Sequence, residues 1–532
     1  MTKKNNLIFL IIIFLYSIYC ALQLGYTWDV LFHYELGKDR LDYLLSFGTN
    51  EINDKIQVRK FYTGAYSTIS AFFVQFFPRA YVLEAIYLVN LSFSVLTIFG
   101  IQRVTKELFN KKIGQITFLL CFFNPIFFGH MAMNSTDTIV AFANIWCVYI
   151  ILRYFKFQND KNKKNKYIIY LGLLLGLGLG VRYSFFVTLL PIFIFIILEL
   201  FYFKLFINKK FSRNIFLIDF IKVLFIAYLF MVLFWPQTHQ NIFLLPIKLA
   251  LEGFSFGFGT PFILFNGEIF LTSEIPKNYI LINLFYKMPE FFILSFILFI
   301  FLFITIGSHF KKEFKGFYFK IFFVLFIILF PNILLLITPY EVYDGLRLFL
   351  FLLPFICIIP SILIFFLYKK IKNNLYKFIF LFLIFLKIFY IFNFFSLTPY
   401  HYVYLNIFAG KYSENSKKFE NDYWGVSTKK LISEIKNHNK IFKNSKVKIA
   451  VCGLPEDVQS YYLKKIKNLK FEIVSKEENF DYMIMNNRVI WDRKNNSYDP
   501  KKATTCFEKF SGEDLITVER RGLIISKIIK SL

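Results

Sequence analysis

The stretch FIFLFLIFLKIFYIFNFF, residues 378–395, carries a single charge, Lys387, in a run long enough to cross the hydrocarbon of a bilayer. FILSFILFIFLFI, residues 292–304, carries none. No water-soluble core needs runs of this kind, and they are not isolated. Of 532 residues, 57% are hydrophobic, 21% aromatic and only 18% charged, with 75 phenylalanines, so most of the chain belongs in lipid. This composition excludes a disordered chain and a secreted disulfide scaffold. The formal net charge of +27 would suggest nucleic acid as the partner of a soluble protein. Here the basic residues lie in short loops between apolar runs, which makes them a topology signal and not a nucleic-acid footprint.

Dividing the chain at its charges predicts eleven transmembrane helices, near residues 7–24, 80–101, 113–131, 138–154, 167–181, 184–203, 216–234, 291–306, 321–337, 348–367 and 378–395. Every second loop is rich in Lys and Arg: Lys3 and Lys4, then Arg103 to Lys112, Arg153 to Lys166, Lys204 to Arg213, Lys311 to Lys320 and Lys369 to Lys377. Because basic residues resist translocation, this alternation predicts a cytoplasmic N-terminus, and an odd number of spans puts the C-terminal tail on the outer side. The first apolar stretch has no small-residue cleavage pattern before Gln23 and reads as a retained span. The expected organisation is an α-helical polytopic membrane core over residues 1–397, with large outer loops at 25–78 and 235–290, and an extracytoplasmic domain over 398–532. In that tail, residues 446–451 and 471–474 read as strands and 455–467 as a helix, which predicts a small α/β domain. Cys452 and Cys506 can pair in an oxidising compartment, and their spacing alone does not decide it. There is no CxxC, HExxH or GxxxxGK[ST], which argues against a zinc protease or a nucleotide-driven pump.

Ionisable residues at the ends of apolar spans are costly and mark candidate sites. Three stretches supply them, all on the predicted outer side. In TWDVLFHYELGKDRLDYLL, residues 27–45, Asp29 and His33 are four apart and share a helix face. Asp29 is a candidate general base, and solvation of a loop is the alternative. In FFNPIFFGHMAMNSTDTIVAF, residues 122–142, Asp137 opens the next span, where it is either a second site carboxylate or a partner of the helix dipole, with Ser135 or Thr136 as the cap. In ITPYEVYDGLRLFLFLLP, residues 337–354, Arg347 suits a phosphate through paired hydrogen bonds, or pairs within its own loop with Asp344 or Glu341. Arg182, Arg59 and Lys60 add positive charge on the same side. The glycine series Gly172, Gly176 and Gly180 reads as a surface for close helix packing.

Together these segments resemble the integral-membrane glycosyltransferases of the GT-C fold, in the bacterial branch related to protein O-mannosyltransferases and aminoarabinose transferases (glycosyltransferase family 39-like). The resemblance rests on Asp29 after the first span, Asp137 after a Pro-containing loop, LGLLLGLGLGVRYS ending at Arg182, and YDGLRLFLFLLP with Asp344, Arg347 and Pro354. TPYHYVYLNIFAG, residues 398–410, and FENDYWGVS, residues 419–427, look like the segment that follows the last span in a bacterial subset, and Trp424 is a candidate sugar-stacking surface there. One departure is Val30, where the family commonly has a second acidic residue after the first. The resemblance implies a polyprenyl-phosphate-linked sugar donor, an envelope glycan, lipid or protein acceptor and an inner-membrane location; no cofactor is assigned, and the residues leave metal dependence open. The resemblance also implies Asp29 as base with Asp137 orienting the acceptor or assisting, Arg347 and Arg182 on the departing phosphate, and Asp344 holding Arg347; beside it, His33 and the outer charges Arg59 and Lys60 are candidate substrate contacts. A transporter or lipid-handling protein, and a glycosyltransferase-like scaffold without activity, are the competing readings.

Overall fold

The structure is a computed structural model that describes residues 3–531 apart from 53–56, 256–258, 339, 436–445, 468 and 492–498. All eleven apolar stretches are helical. Helix α1 (Lys3–Gln23) leads into a first loop that carries α2 (Val30–Leu45) and α3 (Ala65–Val74), followed by α4 (Val82–Leu108). The third stretch is split by Asn124 and Pro125 into α5 (Lys111–Phe122) and α6 (Pro125–His130), and α7 (Asp137–Phe157) and α8 (Lys161–Leu179) come next. Pro191 opens α10 (Leu190–Leu198) after the single turn of α9 (Phe185–Thr188), a π turn closes that stretch, and α11 (Arg213–Leu233) follows. The second large loop folds as α12 (Leu245–Ser255), a hairpin of β1 (Phe262–Phe265) and β2 (Glu268–Leu271), and α13 (Tyr279–Lys287). The last spans are α14 (Glu290–Glu313), α15 (Phe317–Ile337), the pair α16 (Leu352–Ile356) and α17 (Ile358–Lys369), and α18 (Asn374–Ser396).

Among the described residues, eight helices are long and apolar enough to cross a membrane. Their burial orders them in the bundle. In Leu352–Lys369 83% of the membrane-crossing stretch is buried and in Asp137–Phe157 78%, so these two form its centre, whereas Asn374–Ser396 at 17% and Arg213–Leu233 at 22% form its edge. The outward side chains of these edge helices, Phe378, Phe392 and Ile221 among them, are large and apolar, a surface that water disfavours and lipid accepts. Because lipid tails are as apolar as the helices, close packing and not the hydrophobic effect must join the spans. Gly172 and Gly176 do this between α8 and α11: a Cβ on either would come within 2.6 Å of Ile226 or 2.8 Å of the Ala227 carbonyl.

After α18 the tail runs through three short 3₁₀ turns and α19 (Thr428–Glu434) into an α/β unit. It contains β3 (Val447–Cys452), α20 (Glu456–Lys464), β4 (Phe471–Val474), β5 (Tyr482–Asn486), the two-residue β6 (Val489–Ile490) and β7 (Thr504–Thr505), α21 (Cys506–Lys509), β8 (Glu513–Arg520) and β9 (Leu523–Lys530). The five-stranded sheet has the order β4-β3-β5-β9-β8, with β3, β4 and β5 parallel and β9 and β8 antiparallel. The strands and helix read from residues 446–474 correspond to β3, α20 and β4. Cys452 and Cys506, whose pairing the sequence left open, form a disulfide.

The tail is bound to the membrane core through backbone groups. The Gly25 N–H donates to the Val426 carbonyl at 2.9 Å, the Ile407 N–H to Glu290 at 2.9 Å, and Lys429 Nζ to the Leu22 carbonyl at 2.9 Å. Gly129 of α6 lies hard against the tail, because a Cβ there would be 2.3 Å from the Tyr402 backbone nitrogen. Ala is a better helix former than Gly, so Gly129→Ala should stabilise a free helix. Here we expect it to destabilise the protein by about 1–3 kcal/mol through overpacking, read as a lower Tm in detergent. An unchanged or higher Tm would show that this contact does not hold the tail.

Candidate functional site

Five chain segments converge where the tail meets the end of the bundle. Asp29 is the residue before α2; its carbonyl accepts the His33 N–H at 3.0 Å and its carboxylate makes no cap to the helix. Asp137 begins α7, and the loop before it is pinned by a polar residue inside a membrane span. Asn90 Nδ2 of α4 donates to the carbonyls of Met131, Ala132 and Asn134 at 2.9–3.1 Å. The cap expected from Ser135 or Thr136 comes instead from Asn134, whose Oδ1 accepts the Asp137 N–H at 2.8 Å and the Thr136 N–H at 3.2 Å. An Asn two or three residues upstream reaches these amides through the turn that its own short side chain favours.

Arg182 follows α8, whose end is tied to the first loop. The Gly180 carbonyl accepts the Ala65 N–H at 3.0 Å, and a Cβ on Gly180 would lie 2.6 Å from the Ala65 Cβ. Asp344 and Arg347 lie between α15 and α16. Asp344 has φ +55° and Gly345 φ +65°, a left-handed pair that turns the chain sharply enough for both side chains of the loop to meet. A side chain on Gly345 would collide with Lys287 Nζ at 2.2 Å. Arg488, from the tail, follows β5.

These residues form a row of alternating charges. Arg182 Nη1 is 2.9 Å from Asp137 Oδ1, and Asp137 Oδ2 is 3.3 Å from Arg347 Nε. Arg347 Nη1 is 2.7 Å from Asp344 Oδ2, and Asp344 Oδ1 is 3.0 Å from Arg488 Nη1. The Arg347 guanidinium also lies over the Trp424 ring at 4.5 Å and the Tyr343 ring at 5.3 Å. Its Nη2 makes no hydrogen bond among the described residues. Trp424 therefore supports an arginine. Three guanidiniums against two carboxylates leave the row with one excess positive charge. An excess charge in a largely buried setting is unfavourable unless a partner neutralises it.

The row forms one wall of a cavity of about 1430 Å³. Asp29, His33 and Tyr62 come from the first loop and Phe330, Pro331 and Leu334 from α15. The tail contributes the residues just after β3, β4 and β5: Gly453 to Asp457, Ser475 to Glu477, and Arg488 to Trp491. In parallel sheets this carboxyl edge is where ligands bind. The Asp29 carboxylate has no hydrogen bond or ion pair among the described residues, whereas Asp137 and Asp344 are both held between arginines. The structure does not bring Arg59 and Lys60 into the cavity. Arg59 is buried 2.6 Å from Asp39, and Lys60 turns to Glu252 at 3.5 Å, so each basic residue is satisfied by an acid of its own neighbourhood. Among the described residues, no three His, Cys, Asp or Glu side chains are grouped to hold a metal ion.

Burial lowers the His33 pKa to about 4, with Arg182 and Arg347 acting the same way and Asp29 and Asp137 opposing, so the ring is neutral at neutral pH. Burial also opposes the charge of Arg347, but Asp344, then Tyr343, Asp137 and Asp29, outweigh it and raise its pKa. Behind the row, burial raises Glu420 to about 7, with Asp344 acting the same way against Arg488, the Val489 N–H and Lys287. Burial lowers Lys287 to about 8 against Asp344 and Glu420. Folded Glu420 thus holds a proton that the unfolded chain releases near pH 4.5. Its contribution to stability is complete below that pH and is lost as pH rises through about 7. Glu420→Gln, which cannot ionise, should therefore gain Tm relative to the wild type between about pH 5 and pH 8. Parallel Tm profiles for the two proteins would mean that Glu420 ionises normally.

Residues 66–235 match the sequence family described as dolichyl-phosphate-mannose-protein mannosyltransferase. No curated protein matches the chain in sequence. Among solved structures, ArnT from Cupriavidus metallidurans in the apo state superposes over 99% of this chain and 98% of its own, with TM-score 0.50 and 8% identity. The same protein bound to undecaprenyl phosphate gives the same figures. The Archaeoglobus fulgidus oligosaccharyltransferase covers 90% of this chain and 69% of its own, at 11% identity and TM-score 0.49. The family segment runs from α3 to the end of α11 and contains Asp137 and Arg182. With that segment and with the ArnT fold over almost its whole length, the chain has the GT-C fold of the integral-membrane glycosyltransferases, as its motifs anticipated.

Proposed function

We propose that this protein is a membrane glycosyltransferase that moves a sugar from a polyprenyl-phosphate donor to an acceptor hydroxyl at the outer face of a bacterial inner membrane. The observation that carries this reading is the pairing, in one cavity, of a free carboxylate at Asp29 with an arginine row in excess of its counter-charges. The ArnT structure that superposes on this chain was solved with undecaprenyl phosphate. The alternation of basic loops supports the orientation, with the N-terminus inside and the cavity and tail outside.

In this reading the donor phosphate lies against Arg347 and Arg182, and the polyprenyl chain leaves between helices along the apolar wall of Val187, Phe330, Pro331, Leu334 and Phe351. Asp29 takes the proton from the acceptor hydroxyl as its oxygen attacks the anomeric carbon. The bond from that carbon to the phosphate oxygen breaks in the same step and inverts the centre. The departing phosphate gains charge, which the guanidiniums stabilise more strongly than they stabilise the intact donor. Asp137 is occupied by two arginines, so its part is to fix their spacing, and Asp344 has the same part between Arg347 and Arg488. Neutral His33 lines the acceptor side next to Asp29 as a hydrogen-bonding contact. The acceptor, whether envelope glycan, lipid or protein, enters over the tail strand ends.

The test is sugar transfer in membranes supplied with labelled polyprenyl-phosphate sugars and mixed envelope acceptors, comparing wild type with Asp29→Asn at matched expression. Loss of a positioned base should lower transfer by about 10²–10⁴-fold with little change in Tm. Equal transfer by both proteins would remove Asp29 as the base. A wild type inert across a broad donor panel would favour a scaffold or a transporter.

A further inference from the structure

Arg488 lies outside the matched family segment and outside every motif that the sequence singled out, yet it ends the arginine row. Its Nη1 donates to Asp344 Oδ1 and to the Tyr423 carbonyl, both at 3.0 Å. Asp344 in turn holds Arg347, so the position of Arg488 bears on the guanidinium at the centre of the site.

The backbone around Arg488 is held on three sides. Its N–H donates to Asn486 Oδ1 at 3.1 Å, and its carbonyl accepts the Cys506 N–H at 3.0 Å. The next two residues form β6, which pairs with β7 immediately before Cys506, in the register Val489 with Thr505 and Ile490 with Thr504. Cys506 is bonded to Cys452 at the end of β3, and both are buried. Gly453, which follows Cys452 with φ +72°, has no room for a side chain. A Cβ would meet Asn486 Oδ1 at 2.2 Å, the Arg488 Cβ at 2.9 Å and Cys506 Sγ at 3.1 Å. The disulfide therefore fastens to the end of β3, the neighbour of the central strand β5, the short segment against which Arg488 rests. Without it, the two-residue ladder of β6 and β7 and the capping box of Thr505 and Glu508 would be left to hold that segment. Two-residue ladders are weak.

We propose that Arg488 is a positioning residue of the donor-phosphate site and that the Cys452–Cys506 disulfide keeps it in place, so that the arginine row is complete only in the oxidised protein. This rests on the reading that the row receives the donor phosphate. It gives the disulfide a part in substrate binding beyond the stability of the tail, and it makes the membrane core incomplete without its tail.

The experiment measures Kd for undecaprenyl phosphate on the full chain in nanodiscs, with Tm recorded for every variant. Arg488→Met should weaken binding by about tenfold, the usual scale for one charge-assisted contact, and Arg488→Lys, which keeps the charge, should recover part of the loss. Cys452→Ser combined with Cys506→Ser should weaken binding to a similar extent, and the variant carrying all three changes should bind no more weakly than Arg488→Met alone. That non-additivity separates positioning from general loosening, which would add to the effect of the arginine. If the serine pair does not fold, reduction of the folded wild type by an added phosphine, itself oxidised in the exchange, supplies the same comparison against reduced Arg488→Met. Binding unchanged by Arg488→Met, unchanged by loss of the disulfide, or weakened multiplicatively by the two together would each overturn the proposal. A wild type that does not bind undecaprenyl phosphate overturns the phosphate reading itself, an outcome distinct from binding that ignores Arg488.

Discussion

The rest of the site is organised around the row Arg182–Asp137–Arg347–Asp344–Arg488, in which each carboxylate is shared between two guanidiniums. Few arrangements let five charges sit largely out of water. A lone ion there would be strongly disfavoured, and removing one member of a buried pair typically costs about 3–5 kcal/mol because its partner is left uncompensated. Each member therefore constrains its neighbours. Asp137 cannot move from the start of α7 without releasing Arg182 and Arg347, and Asp344 cannot leave its left-handed turn without releasing Arg347 and Arg488.

The surrounding architecture places these five residues from four distant parts of the chain. Asn90 fixes the loop before α7, and the contact of Gly180 with Ala65 fixes the end of α8. The FENDYWGVS segment carries Trp424 to the face of Arg347. Its Asp422 accepts from Tyr402 Oη at 2.6 Å and from the Val426 N–H at 3.1 Å, which joins it to the TPYHYVYLNIFAG segment. Tyr423 reaches His130 of α6 through its hydroxyl. The two motifs after the last span thus act as the joint between the tail and the bundle.

Several parts of this were legible in the residues. Apolar runs of span length have few alternatives in a chain of this composition, and all eleven are helical. Residues 471–474 read as a strand and form β4, because short β-branched and aromatic runs between turn residues carry a local signal. Of the glycine series that reads as a packing surface, Gly172 and Gly176 face α11 at close range and Gly180 meets Ala65 of α3. Asp29, His33, Asp137, Arg182, Asp344 and Arg347 stand out as costly charges near span ends, and the structure gathers all six around one cavity or its wall. Arg59 and Lys60 satisfied the same rule yet are matched by Asp39 and Glu252, because charge and sidedness say nothing about which local acid lies within reach.

The sequence by itself determined the helical membrane core and the small α/β tail, because hydrophobic length and strand periodicity are local properties. Tertiary structure alone decided which charges pair. Asp137 is 210 residues from Arg347, and Arg488 is 144 from Asp344. Nothing in the spacing of such residues specifies a 3 Å contact. Arg488 is one basic residue among 62 in the chain, and the turn after β5, whose Arg488 carbonyl accepts the Cys506 N–H, sets it beside the membrane-core arginines through Asp344. Packing across the whole chain, with no local preference behind it, fixed that position.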